Sequence, residues 1–285
     1  MTTQNQENIQ IAHSTNRQDG RAPHQLRDIK FHLDFAPAAL GSVLIQWGNT
    51  HVICAVTMEA SVPKWMRDQN VVGGWITAEY SMLPYSTPER KPREITKGRP
   101  EGRTQEIQRI IGRALRAAVD LEALGEMTLW IDCDVVQADG GTRTASITGA
   151  YVALVMAIDR LLKQGKLTQN PLRHQVAAVS VGLIDRRPLL DLNFAEDTVA
   201  DVDMTLIMTR DGQFVEIHAI GEQACFTEDE FVQMMALGKQ GLSQIFDAQL
   251  RALNSIGLDP TKLSPPSPPP ELPPTPPQAN QPNSI

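Results

Sequence analysis

Between residues 129 and 162 the chain changes its periodicity twice, and any fold it adopts must accommodate that stretch. In Leu129-Trp-Ile-Asp-Cys-Asp-Val135, the apolar Ile131, Cys133 and Val135 alternate with Asp132 and Asp134, the period of a strand with one apolar face. Ala138-Asp-Gly-Gly-Thr-Arg-Thr144 follows as a tight glycine turn, and an apolar helix runs from about Ser146 to Leu162. A strand delivered through glycines into a helix calls for a mixed α/β core, so the expected class is α+β with mixed sheets, hairpins and packed helices.

Flanking segments extend this pattern. Val43 to Trp47, a Gly48-Asn49 turn and His51 to Thr57 read as a β-hairpin, and Val71 to Ala78 as a strand. A polar loop spans about Ser81 to Gly102. Thr104 is then placed as the cap of a helix continuing to about Ala123, with Gly125 as its stop. On that helix Ile107, Ile111, Ala114 and Ala118 share one face, while Arg109, Arg113 and Arg116 share the opposite one. Further on, Val176 to Ile184 and Leu189 to Leu192 flank a turn at Arg186-Arg187-Pro188. Asp211-Gly212 joins strands Val202 to Met208 and Phe214 to His218, and a last amphipathic helix covers about Glu228 to Ala252.

The ends differ in character. Residues 1–18 are polar and rich in Asn and Gln, and residues 264–285 are rich in proline, which fixes φ and removes backbone donors; both are expected to be disordered. A foldable domain is left at 19–255. The N-terminal residues lack an apolar signal segment, and the longest apolar run, Tyr151 to Ile158, is short for a bilayer, so no membrane association is expected. Three isolated cysteines without C-x-x-C spacing read as buried thiols in a reducing, cytoplasmic setting.

A net charge of −7 argues against a polyanionic partner until its distribution is considered. From Pro88 to Arg116 there are nine basic residues against four acidic ones, so this window is +5 and the remainder −12. Such an island can draw a polyanion locally, although a solvated charge run would look the same.

Two segments carry chemistry. Gly140-Gly141 before a helix allows backbone N–H groups to converge near a positive helix terminus, with the Thr142 hydroxyl and Arg143 guanidinium available to phosphate oxygens. A purely structural turn has the same appearance. No Gly-Lys-Ser/Thr follows, and no G-x-G-x-x-G is present, so this is neither a nucleotide P-loop nor a dinucleotide fingerprint. Asp197, Asp201 and Asp203 cluster where a strand begins; carboxylates in this arrangement suit Mg²⁺, and equally suit an acidic turn. An arginine-lined anion nest beside such a cluster matches the needs of phosphoryl transfer, where nucleophile and target are both anionic.

Long segments also resemble a known family in the same order. Gly102 to Arg116 and Asp132 to Ala150 look like signature segments of the RNase PH family of phosphorolytic 3′→5′ exoribonucleases. Gly74 to Tyr80, Met82-Leu-Pro84, Val176 to Gly182 and Asp201 to Met204 agree as well, so the likeness covers roughly Asp19 to Arg251. The resemblance implies a ring of subunits, commonly a hexamer built as a trimer of dimers, acting on tRNA precursors and other RNA 3′ ends with inorganic phosphate as co-substrate. It implies phosphate binding at Arg103, Gly141, Thr142 and Arg143, and catalysis and metal binding at Asp197 and Asp203. RNA contact is implied for the basic loop at Arg90, Arg93, Lys97 and Arg99, with Arg109 and Arg113 expected to extend it. Two departures stand out. His218 to Gln223 replaces the family's usual Gln-Gly-Thr-Ala-Glu-Gly, and Tyr85 stands where a basic residue is common. The alternative reading is a catalytically silent RNA-binding subunit of an exosome-like ring, which need not keep both the arginines and the aspartates.

Overall fold

The computed structural model describes residues 17–259. The expected disordered tail at 264–285 and the N-terminal extension, apart from Arg17 and Gln18, lie outside the described residues. The fold is mixed α/β, as expected. Its first sheet is built from β1 (Ile29–Leu33), β2 (Gly41–Trp47) and β3 (Thr50–Glu59), followed by the short helix α1 (Lys64–Asp68) and β4 (Trp75–Met82). A 3-10 turn at Glu94–Lys97 leads into α2 (Gly102–Ala117), then α3 (Leu121–Leu124), β5 (Thr128–Gln137) and α4 (Thr142–Lys163). The second half comprises β6 (Val176–Ile184), β7 (Arg187–Leu190), α5 (Phe194–Val199), β8 (Val202–Thr209), β9 (Phe214–Gly221) and α6 (Glu228–Asn254).

The first sheet has the order β1-β2-β3-β5-β4, antiparallel except for the parallel pair β4 and β5; the second has the order β7-β6-β8-β9, antiparallel throughout. Between them lies α4, packed on β2, β3 and β6. By length and composition α4 could cross a membrane, yet 83% of its most apolar window is buried inside the protein. A helix apolar on all sides is satisfied here by a sheet on each flank. Gly41 and Gly149 make this contact possible. A Cβ at Gly41 would lie well inside van der Waals distance of the Ala153 carbonyl, and one at Gly149 2.8 Å from the Ile45 side chain.

Several boundaries move from their sequence-based positions. The strand expected at Val71 starts at Trp75, because Gly73 adopts φ 103° against the Leu121 carbonyl and leaves Val71 and Val72 exposed. Thr104 does not cap α2. Its hydroxyl donates to Glu94 Oε1 at 2.6 Å, while Glu94 Oε2 accepts the N–H of Glu101, the residue at the cap position. The helix expected to reach Ala123 stops at Ala117, since Asp120 starts a new turn by accepting from the N–H groups of Glu122 and Ala123. The β6–β7 turn falls at Asp185-Arg186, both at positive φ, which gives the two-residue hairpin geometry that matches strand twist. The predicted apolar face of α2 is buried as expected; Arg116, however, lies 4.5 Å from the Trp75 ring centroid and donates to the Ile76 carbonyl, so it serves the core.

Candidate active site

The turn between β5 and α4 is built around Gly140 (φ 71°) and Gly141 (φ 67°), both in the left-handed region that only glycine enters cheaply. Gly141 occupies the N-cap position, so α4 starts at Thr142 and not at Ser146; the helix's first N–H groups and its positive end therefore face the loop. A Cβ on Gly140 would lie 2.6 Å from the Leu192 carbonyl oxygen and 2.9 Å from the Phe194 nitrogen. The loop is thus pressed onto the backbone leading into α5.

Thr142 Oγ1 is 2.8 Å from the hydroxyl of Tyr80 on β4. The Arg143 guanidinium donates to Thr205 Oγ1 at 3.3 Å and stands 3.4 Å from His218 Nδ1, while its buried Nε–H has no acceptor within the protein. The substituted junction at His218 therefore reaches a residue assigned to phosphate, which the sequence pattern did not suggest. Such a buried donor costs free energy unless an acceptor, such as a phosphate oxygen or a water, reaches it.

Opposite stand the aspartates. Asp197 extends from α5 and Asp203 from β8, paired across the ladder with Gly182. Burial, and after it the charge of Asp197, push the Asp203 carboxyl above the usual carboxylate range, against the pull of Arg143. Asp197 opens onto the cavity, and crowding by protein atoms still raises its proton affinity, opposed by Arg103 and Arg143. Asp201 does not line the cavity that Asp197 and Asp203 share; its backbone N–H bonds to the Leu183 carbonyl and its own carbonyl accepts from Glu222, Gln223 and Ala224. No group of three or more His, Cys, Asp or Glu able to hold a metal occurs among the described residues, though Glu222 is close enough to raise both Asp197 and Asp203.

Arg103, Gly140, Gly141, Thr142, Arg143, Asp197 and Asp203 all line one cavity of about 830 Å³. Arg90 lines it too. Arg93 lies on the same basic loop, where its charge acts on Asp134, and Lys97 ends the 3-10 turn. Arg99 is exposed outside the lining, as are Arg109 and Arg113; Arg113 is paired with Glu216 of β9 at 2.5 Å.

Sequence reasoning missed the support beneath the glycine loop. Arg27 donates to the carbonyls of Asp139 (2.5 Å) and Gly140 (3.5 Å), and its Nε and Nη2 donate to Asp191 at 3.0 and 2.6 Å. Asp191, 1% exposed, also accepts from Trp47 Nε1, the Arg27 N–H and Arg21. Burial opposes its ionisation, but Arg27 and Arg21 bring its carboxyl below the ordinary range. Arg17 adds a bidentate pair with Glu196, the neighbour of Asp197. One buried network therefore grips the glycine loop and the helix of Asp197. No local sequence signal marks it, because its members are up to 179 residues apart.

Known proteins resemble the chain over most of its length. The model of the 3′ exoribonuclease family, domain 1, matches residues 25–158, and that of domain 2 matches residues 174–241. Ribonuclease PH of Bacillus mycoides (strain KBAB4) is 53% identical over 241 residues, covering 84% of this chain and 98% of the relative. Ribonuclease PH of Bacillus cereus (strain AH187) gives the same figures. Among solved structures, rice Rrp46 superposes with a TM-score of 0.66 at 22% identity, covering 82% of this chain and 98% of its own. An RNA-bound Archaeoglobus fulgidus exosome chain gives 0.68 at 23%, covering 80% and 90%. At such identities these structures speak for the fold alone.

Proposed function

The chain belongs to the 3′ exoribonuclease family of ribonuclease PH and is a phosphate-dependent 3′→5′ exoribonuclease; on that premise we propose which of its residues perform the reaction, and on which RNA. Arg103, Arg143, Thr142 and the N–H groups at Gly141 hold orthophosphate, and the 3′ end of a tRNA precursor lies between that anion and Asp197 and Asp203. The observation that carries this reading is the convergence of both sets on one cavity. A silent subunit would have no need of the two together.

The chemistry follows from charge. Orthophosphate attacks the phosphorus between the last two nucleotides, the P–O3′ bond breaks, and a nucleoside diphosphate leaves. The proton lost by orthophosphate ends on the departing O3′. Asp203 lines the same cavity and would assist that transfer through a bound water. Two unit charges about 4 Å apart repel by roughly 4 kcal/mol at an effective dielectric of about 20, so two anions meet only among fixed cations. Arg103 and Arg143 supply these in advance of reaction.

Asp197 and Asp203 would hold a Mg²⁺. A pair of mutually repelling carboxylates fits an ion that usually binds one or two carboxylates plus substrate phosphates. Bound there, it would neutralise charge on the scissile phosphate. The exposed Arg90, Arg93 and Arg99, on the same basic stretch as Lys97, would hold the acceptor stem by its phosphates, giving affinity without reading sequence. We further assign the chain to a cytoplasmic homohexameric ring; the free thiols suit a reducing compartment, although only Cys54 and Cys133 are buried as expected and Cys225 is exposed.

The deciding experiment incubates the protein with a tRNA bearing extra 3′ nucleotides, with and without phosphate. Nucleoside diphosphates released only with phosphate are expected. Equal shortening without phosphate, yielding monophosphates, would make water the nucleophile and overturn the assignment.

A further inference from the structure

Phe194 is the first residue of α5 and is 63% exposed, although it is a large apolar side chain. A single exposed apolar residue on an outer surface needs no explanation. This one lines the same cavity as Arg103, Arg143, Asp197 and Asp203, and it is the only aromatic among the described lining residues. Its backbone is held tightly. The Phe194 N–H donates to Asp139 Oδ1 at 3.1 Å, and Gly140 is pressed so closely that a Cβ there would clash with the Phe194 nitrogen. Asn193 fixes the helix start through a capping box with Glu196. Phe194 and Asp197 are three residues apart on one helix, so their side chains are neighbours.

We propose that Phe194 is the stacking platform for the 3′-terminal nucleobase of the RNA. This rests on the phosphorolytic reading of the site. The phosphate attacked is the 5′-phosphate of the terminal nucleotide, so that nucleotide's base lies only one ribose away from it. The ring lines the same cavity as the glycine loop and Asp197, and about 830 Å³ accommodates a nucleotide together with orthophosphate. An exonuclease that removes successive nucleotides needs a grip indifferent to base identity. Stacking provides it, because every base has a π face and phenylalanine offers no hydrogen bond by which to discriminate. Rigid placement beforehand means that little ordering remains to be done when RNA binds.

The test compares the full-length parent with Phe194→Ala, Phe194→Leu and Phe194→Tyr. At saturating phosphate, KM for an RNA oligonucleotide should rise on the order of tenfold in Phe194→Ala, stay high in Phe194→Leu, and return toward the parent value in Phe194→Tyr. KM for phosphate should change less than about twofold, by contrast with a variant that merely loosens the site. RNA ending in 2-aminopurine should lose fluorescence on binding the parent but not Phe194→Ala, and an RNA with an abasic 3′ terminus should bind both alike. If Phe194→Ala fails to fold by circular dichroism, the Leu and Tyr variants carry the comparison, since they preserve bulk. An unchanged KM for RNA together with undiminished quenching would overturn the proposal. So would a change of oligomeric size with both KM values altered, which would place the ring against a second copy of the chain. Quenching is read without turnover, so stacking can be seen even if phosphate proves not to be the nucleophile.

Discussion

Replacing Asp191 by Asn should damage the protein in two separable ways. The side chain is 1% exposed and accepts from Arg27 Nε, Nη2 and N–H, from Trp47 Nε1 and from Arg21. Asparagine keeps the shape but removes the charge and turns an amide donor toward guanidinium donors. Removing one partner of a buried ion pair typically costs about 3–5 kcal/mol, because the other charge stays buried without compensation. For a chain of this size that corresponds to a fall in Tm on the order of 6–20 °C. Urea unfolding followed by circular dichroism at fixed protein concentration measures the first effect. The second is a raised KM for phosphate, because Arg27 also holds the Asp139 and Gly140 carbonyls. The double variant Arg27→Met/Asp191→Leu tells them apart: an apolar pair restores the part of the stability that belongs to Arg27, though Trp47 Nε1 and Arg21 still lose an acceptor, and it cannot donate to those carbonyls, so KM for phosphate stays high. The pH sign follows from the depressed Asp191 carboxyl. Its stabilisation is present above the unfolded carboxylate value, about 3.9, and is lost as pH falls through the lower folded value, so acid unfolding should be less steep in Asp191→Asn. Stability within about 1 kcal/mol of the parent, well short of that penalty, or recovery of phosphate KM in the double variant, would refute the reasoning.

Three further outcomes are expected. Arg103→Ala and Arg143→Ala should each lower phosphate-dependent activity by roughly 10²–10³ with the circular dichroism spectrum unchanged; turnover equal to the parent at limiting phosphate would contradict their assignment. Asp203→Asn should abolish activity yet raise Tm near neutral pH in the presence of a chelator. The Asp203 carboxyl has raised proton affinity, so its stabilising effect holds below the unfolded carboxylate value and is lost as pH climbs through the folded one; the gain should vanish in acid. Gly140→Ala combines a positive φ with a Cβ 2.6 Å from the Leu192 carbonyl, so thermal unfolding should show a large loss of stability, and phosphorolysis should fail even in protein that folds.

What could be read from the chain was local. The β2–β3 hairpin at Gly48-Asn49, the alternation along β5, the apolar stripe of α2 and the Asp211-Gly212 turn lie within a few residues of their causes, and the structure has all of them. The glycine loop and the aspartates were likewise visible as segments, and the resemblance named the residues now found around one cavity. Folding in three dimensions decided the rest. Glu101, not Thr104, stands at the α2 cap position, with its N–H held by Glu94; Asp120 divides one expected helix into two; Arg116 joins Trp75 and leaves the basic face; and His218 meets Arg143. The brace of Arg17, Arg21 and Arg27 on Asp191 and Glu196 shows why. Backbone periodicity and turn chemistry act over a few residues and leave a mark on composition. A buried charge is tolerable only where distant strands bring its partner within hydrogen-bond reach, and that proximity belongs to the packed chain, not to any stretch of it.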